Sequence, residues 1–217
     1  MSDAMINLLL SALWETLLMT FGSGLIAGVI GIPLGIALHV SKPEQIWQNK
    51  AFNKGLGTLV NIGRSVPFII LMVAIIPFTR LVAGTSIGTT AAIVPLTVAA
   101  IPFVARLMEA ALMEVPAGLV EAAQAMGAKR LQIITKVLLP EALPGMLNGI
   151  IITLVTLVNY SAMAGAIGGG GLGDVGIRYG YQRFDGQIML ITVVMLVVLV
   201  QIIQSAGERL VTYVDHR

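Results

Sequence analysis

The sequence predicts an all-α integral membrane protein, a single domain over residues 1–217 that crosses the bilayer about five times. Three observations carry that prediction. Hydrophobic residues make up 57% of the 217 positions and charged residues 11%, against about 45–50% and about 25% in soluble domains. The charges cluster, leaving uncharged runs at 16–41, 65–79, 81–105, 142–173 and 186–207, and one helical crossing takes about 20 apolar residues. The basic residues are also unevenly shared among the connecting segments, as expected where basic loops stay in the cytoplasm.

The first sixteen residues hold Asp3 and Glu15 but no Lys or Arg. A cleavable leader needs a basic start, so this segment is expected to be retained. Span one, 16–41, contains Gly24-x-x-x-Gly28 and Gly31-x-x-x-Gly35, small residues that let another helix approach closely. Span two is expected over 57–79, the uncharged run being extended through Gly57–Gly63 with Arg64 snorkelling to the interface. Span three follows at 81–105, then a loop over 106–141, span four at 142–167 and span five at 186–207. Prolines 33, 67, 77, 95 and 102 lie within or near span ends and permit kinks. With the N-terminus outside, Lys42, Lys50, Lys54, Arg64, Arg106, Lys129, Arg130, Lys136, Arg209 and Arg217 fall inside, and only Arg80, Arg178 and Arg183 fall outside. The C-terminus and the 106–141 loop are therefore expected in the cytoplasm, and the chain in the cytoplasmic (inner) membrane.

Several function classes are disfavoured. There is no cysteine, and His39 and His216 stand far apart, so neither a disulfide nor a zinc centre is expected. The net charge of +2 reports membrane orientation rather than nucleic-acid binding. Apart from the ends, the expected spans hold no Asp, Glu or Lys, which ion-coupled carriers typically place near the midplane. G-x-G-x-x-G occurs at Gly168/Gly170/Gly173 and at Gly171/Gly173/Gly176, but an apolar span precedes it where a nucleotide fold has a strand. A flexible or tightly packed turn is expected there. No P-loop sequence is present.

The 106–141 loop reads as two short helices around a glycine. Pro116 suits a first helical position, Gly127 the left-handed residue past a helix end, and Pro140 a stop. Leu119, Ala122, Ala123 and Met126 recur at i, i+3, i+4 and i+7 and form one apolar stripe. A helix lying on a membrane is usually bulky and basic, whereas this one carries two alanines and Glu121. A small-residue face suits docking into a groove on another protein. Packing against the chain's own spans is the alternative, and the residues alone leave both open.

Glu121-Ala122-Ala123, three residues, Gly127, nine residues, then Val137-Leu138-Leu139-Pro140 resembles the EAA loop of ABC importer permeases, departing from that pattern only in Val137 for isoleucine. The stretch Asn159–Phe184 and the short chain are similar to the permeases of methionine importers. The resemblance implies a translocation subunit that is not itself an enzyme and holds no cofactor. ATP and Mg would be bound by a partner ATPase present in two copies, a second copy of this chain would complete the path, and a periplasmic or lipid-anchored binding protein would deliver the solute. It also implies that the first loop helix docks in a cleft of the ATPase, with Ala122 and Ala123 small enough to let it seat, Glu121 pairing with a basic group on the partner and Gly127 allowing the tight turn between helices. Leu119 and Met126 of the stripe and Val137, Leu139 and Pro140 of the pattern are counted in the same coupling loop.

In span four, Thr153, Thr156, Asn159 or Tyr160, and Met163 share one helical face. These are expected to line a translocation path, with Tyr160 or Met163 near a gate. Ordinary hydrogen bonding to neighbouring helices is the alternative. Arg178, Tyr179, Tyr181, Arg183 and Phe184 read as an external docking face or as an interfacial aromatic belt.

Overall fold

A computed structural model describes residues 3–214; His216 and Arg217 lie outside the described residues. Among these, every regular element is a helix. Helix α1 (Asp3–Val40) is followed by α2 (Lys50–Ser65), α3 (Phe68–Ala74) and α4 (Ile76–Ala83), then α5 (Thr89–Met113), α6 (Ala117–Ala125), α7 (Arg130–Ile133), α8 (Leu139–Ala164), α9 (Gly171–Val175) and α10 (Gly186–Val214). Helices α1, α5, α10 and the continuous stretch Arg130–Gly169 are each long and apolar enough to cross a membrane.

Helix α1 is the spine of the bundle. Its small residues do what the GxxxG spacing predicts: a Cβ on Gly31 would lie 2.7 Å from Val104 Cβ, and one on Gly35 2.6 Å from the Ala105 carbonyl oxygen. Gly24 meets Leu154 of α8, while Gly28 faces open space. The core of Met19, Ala27, Leu96, Val104, Met108 and Leu157 forms along these contacts. Helix α1 also starts well before residue 16, carrying Glu15 into the helix.

The region 57–79 is not the single straight span expected there. Helices α2 and α3 form a pair bent by 98°. The cause is local: Val66 is extended (φ −87°, ψ 124°), the conformation forced on a residue before proline, and Pro67 has no N–H to continue the ladder. The third crossing begins and ends later than 81–105. Gly84, in the left-handed region at φ 74°, terminates α4, and α5 opens only after Gly88 at φ 97°. At its other end α5 runs on to Met113, taking in Arg106 and Glu109. The buried Glu109 is paired with Lys42 and Arg106, so these charges do not force the helix to stop.

Pro140 does not stop a helix either. Helix α7 passes through a π-helical turn, Ile134–Leu138, directly into α8. A π turn has no i→i−4 bond for proline to break, and Pro140 stands in the first turn of α8, where its missing N–H costs little. Arg130–Gly169 is one apolar stretch, but Ile167 and Gly168 leave helical geometry near its end. Its regular part, residues 130–164, makes a rod of ~50 Å, longer than the hydrocarbon core of about 30 Å, so one end must project from the membrane.

Candidate functional site

The projecting end of that rod carries α6. Residues 114–116 join α5 to α6, and Pro116 sits as its N-cap, one place earlier than the sequence suggested. At the other end Gly127 adopts φ 77°. Its N–H donates to the Gln124 carbonyl at 2.9 Å, and the Ala128 N–H to the Ala123 carbonyl at 3.0 Å, the paired bonds of a Schellman turn. Nothing lies within 4 Å of a Cβ built on Gly127, so backbone conformation alone calls for glycine there. Helix α7 then begins with the Lys129 N–H donating to Gln132 Oε1 at 2.8 Å.

The apolar stripe on α6 is divided. Ala123 is buried in the same apolar cluster as Ile133, Ile134 and Leu138 of the rod, and Val115, Val120, Ala128 and Val137 pack against that cluster. Leu119 (42% exposed) and Met126 (82% exposed) face away, as do Ala122 and Glu121. One short helix thus divides the stripe: Ala123 packs on the chain's own arm, and Leu119, Ala122 and Met126 remain uncovered in the isolated chain. Val137 and Leu139 are half-buried, and Pro140 is exposed.

The five residues of the proposed path do not converge. Thr153 is buried and donates to the Gly149 carbonyl at 2.8 Å, beside a groove between α1 and α8. Thr156 donates to the Ile152 carbonyl and Asn159 Nδ2 to the Val155 carbonyl, with Asn159 lining a different groove against α10. These side chains satisfy themselves on their own helix. Tyr160 instead stacks on Phe68 of α3, ring centroids 4.5 Å apart and planes 2° from parallel, and Met163 is partly exposed beyond it. Phe68 escaped the sequence reading, although its place immediately after a span-breaking proline was a usable signal.

At the opposite end of the rod, the glycine cluster is the tightly packed alternative. Gly168, Gly170 and Gly171 have positive φ. Glu15 Oε2 accepts from the Gly171 N–H at 2.6 Å, Thr16 Oγ1 from the Leu172 N–H at 2.9 Å, and the Gly168 carbonyl from the Gly88 N–H at 2.9 Å. The turn thus ties α1, α5 and α8 together. Beyond it Arg178 pairs with Asp174 at 2.8 Å and Arg183 lies over the Tyr179 ring at 4.5 Å, while Tyr181 and Phe184 are exposed. No cluster of metal-ligating side chains exists among the described residues.

Comparison with known proteins places this arrangement in context. Residues 6–217 match the family described as binding-protein-dependent transport system inner membrane component. A Vibrio cholerae protein named as a probable D-methionine transport system permease, MetI, is 67% identical over 211 residues, covering 97% of this chain and 94% of that one. The Escherichia coli K12 D-methionine permease MetI is 58% identical over 165 residues, 76% of each chain. A solved structure of the MetNI methionine ABC transporter in inward-facing conformations matches with a TM-score of 0.98 and 55% identity over 100% of both chains. An amino acid ABC transporter crystallised with histidines shares the fold, with a TM-score of 0.76 at 20% identity over 97% of this chain and 95% of that one.

Proposed function

The chain belongs to the family of binding-protein-dependent transport system inner membrane components, and from that premise we propose that it is the permease subunit of an ATP-binding-cassette importer for methionine. Its multi-pass helical build places it in the inner membrane. The observation that carries the mechanism is the uncovered face of α6, Leu119, Glu121, Ala122 and Met126, held clear of the spans by the rod of residues 130–164. An apolar helical face of this kind is stable when seated in a groove, and a cytoplasmic ATPase subunit supplies that groove. ATP and Mg reside on that subunit, present in two copies. Glu121 pairs with a basic group at its rim.

Two copies of this chain enclose the path. Closure of the ATPase pair draws the two α6 helices together, and the rods convert that movement into outward opening. An external binding protein then delivers methionine at the end bearing Tyr181 and Phe184, and hydrolysis resets the assembly. Within the path we assign the constriction to the Tyr160–Phe68 stack and Met163, because these side chains are not spent on their own helix. Thr153, Thr156 and Asn159 support packing.

The test is purification after co-expression with an ATPase and a binding protein of this system, followed by assay in proteoliposomes. Co-elution of the ATPase, with hydrolysis stimulated by methionine-loaded binding protein and methionine accumulating inside, is the expected result. Hydrolysis stimulated equally by another amino acid would overturn the substrate assignment, and failure of the ATPase to associate would overturn the role of α6.

A further inference from the structure

Where α1, α2 and α5 meet, an ionic cluster lies apart from both the α6 face and the constriction. Glu109 of α5 is buried, 3% exposed, and each of its oxygens takes a cation. Oε1 lies 2.7 Å from Lys42 Nζ, and Oε2 pairs with Arg106 Nη1. Arg106 Nη2 donates onward to Asn61 Oδ1 at 2.8 Å and to the Gly57 carbonyl at 3.3 Å, both on α2. Lys42 sits in the turn after α1, which Asn53 of α2 also holds by donating to the Leu38 carbonyl at 2.7 Å and to Ser41 Oγ at 3.0 Å.

Packing alone does not call for charge here, since apolar side chains of similar volume hold a buried contact at least as well as an ion pair. What the pairs add is directional attachment: Glu109 cannot move without Lys42 and Arg106, and Arg106 cannot move without α2. Glu109 lies one turn before the end of α5 at Met113, and only residues 114–116 separate that end from α6. On the other side, α2 turns at Pro67 into α3, whose Phe68 stacks on Tyr160.

We propose that Glu109 is a positioning residue that locks α5 to α2 and to the end of α1, so that displacement of α6 is delivered through α2 and α3 to the Phe68–Tyr160 stack. The proposal rests on the transport reading above. Without this lock α5 slides past α2, and ATP turns over while the constriction responds less.

The experiment measures methionine uptake and ATP hydrolysis in the same proteoliposomes containing the whole complex and its binding protein. Glu109→Gln keeps the shape and removes the charge. The expected result is a fall of about fivefold in methionine imported per ATP, within the range of measured coupling effects, with hydrolysis changed less than about twofold. Glu109→Asp restores part of the ratio. A proportional fall in both rates, or no fall in either, overturns the proposal, because a structural prop would lower the amount of active complex without changing its stoichiometry. Asn61→Ala removes the shorter of the two bonds from Arg106 to α2, leaving that to the Gly57 carbonyl, without unpairing the buried carboxylate. A smaller fall in the same ratio is expected, and an unchanged ratio overturns the proposal if the Glu109→Gln complex does not assemble. A wild-type complex that hydrolyses ATP without importing methionine overturns the transport reading and this proposal with it. Wild-type import with an unchanged ratio in the variants overturns this proposal alone.

Discussion

Gly127 and Ala123 sit four residues apart in one loop and answer to different forces, which substitutions can separate. At Gly127 the space is open and the constraint is the left-handed backbone, so Gly127→Ala is expected to destabilise the turn by about 1–2 kcal/mol. Thermal unfolding of the purified chain measures this. At Ala123 the backbone is ordinary and space is the constraint. Ala123→Trp forces a large ring into a packed core and is expected to cost at least about 1–3 kcal/mol, so loss of ATPase binding in that variant reflects a broken arm. Met126 is the informative neighbour. It is 82% exposed, so Met126→Ala is expected to leave stability within about 0.5 kcal/mol while weakening co-elution of the ATPase. Retained stability with undiminished co-elution would remove Met126 from the interface. Both the loop pattern and its glycine were legible in the sequence; the inward turn of Ala123 was not, because i, i+3, i+4 spacing names a face without saying what it meets.

At the scale of elements, glycine spacing foretold a close helix pair, and the structure supplies its partner and its limits. Gly35→Leu would drive a side chain into Met108 and the Ala105 carbonyl, where even a Cβ falls 2.5–2.6 Å from its neighbours. It is expected to separate α1 from α5 and to abolish a folded, extractable protein. Gly28→Leu, in the same spacing pattern but facing open space, is expected to be tolerated, as size-exclusion and melting profiles of the two variants would show. The proline signals divided in a similar way. Pro67 breaks the span expected over 57–79, whereas Pro140 lies at a π turn and the rod continues through it. Sequence marks where a backbone donor is missing. Whether the helix ends there depends on neighbouring turns rearranging to accommodate the loss.

For the whole molecule, the described residues present a projecting arm, a helix pair bent at Pro67 and a stacked aromatic pair, and the proposed path is enclosed only between two copies. Two differently tagged copies are therefore expected to co-purify in the complex with the ATPase. Cysteines placed at Tyr160 and Met163 are expected to change their reactivity toward thiol reagents between resting and ATP-bound states, while one at buried Thr153 stays protected. Uniform protection at all three would move the path elsewhere.

Composition, charge spacing and the Glu121–Pro140 pattern determined by themselves that the chain is a helical membrane protein with a two-helix loop turning at Gly127, because lipid permits few backbone solutions and selects strongly for long apolar runs. Tertiary structure alone decided which way each face turned: Ala123 inward, Thr153 onto its own helix, Tyr160 onto Phe68, and Glu109 into a buried pair with Lys42 and Arg106. These outcomes depend on contacts between residues up to about ninety positions apart, and no local pattern can specify which distant side chain will fill or satisfy a given site.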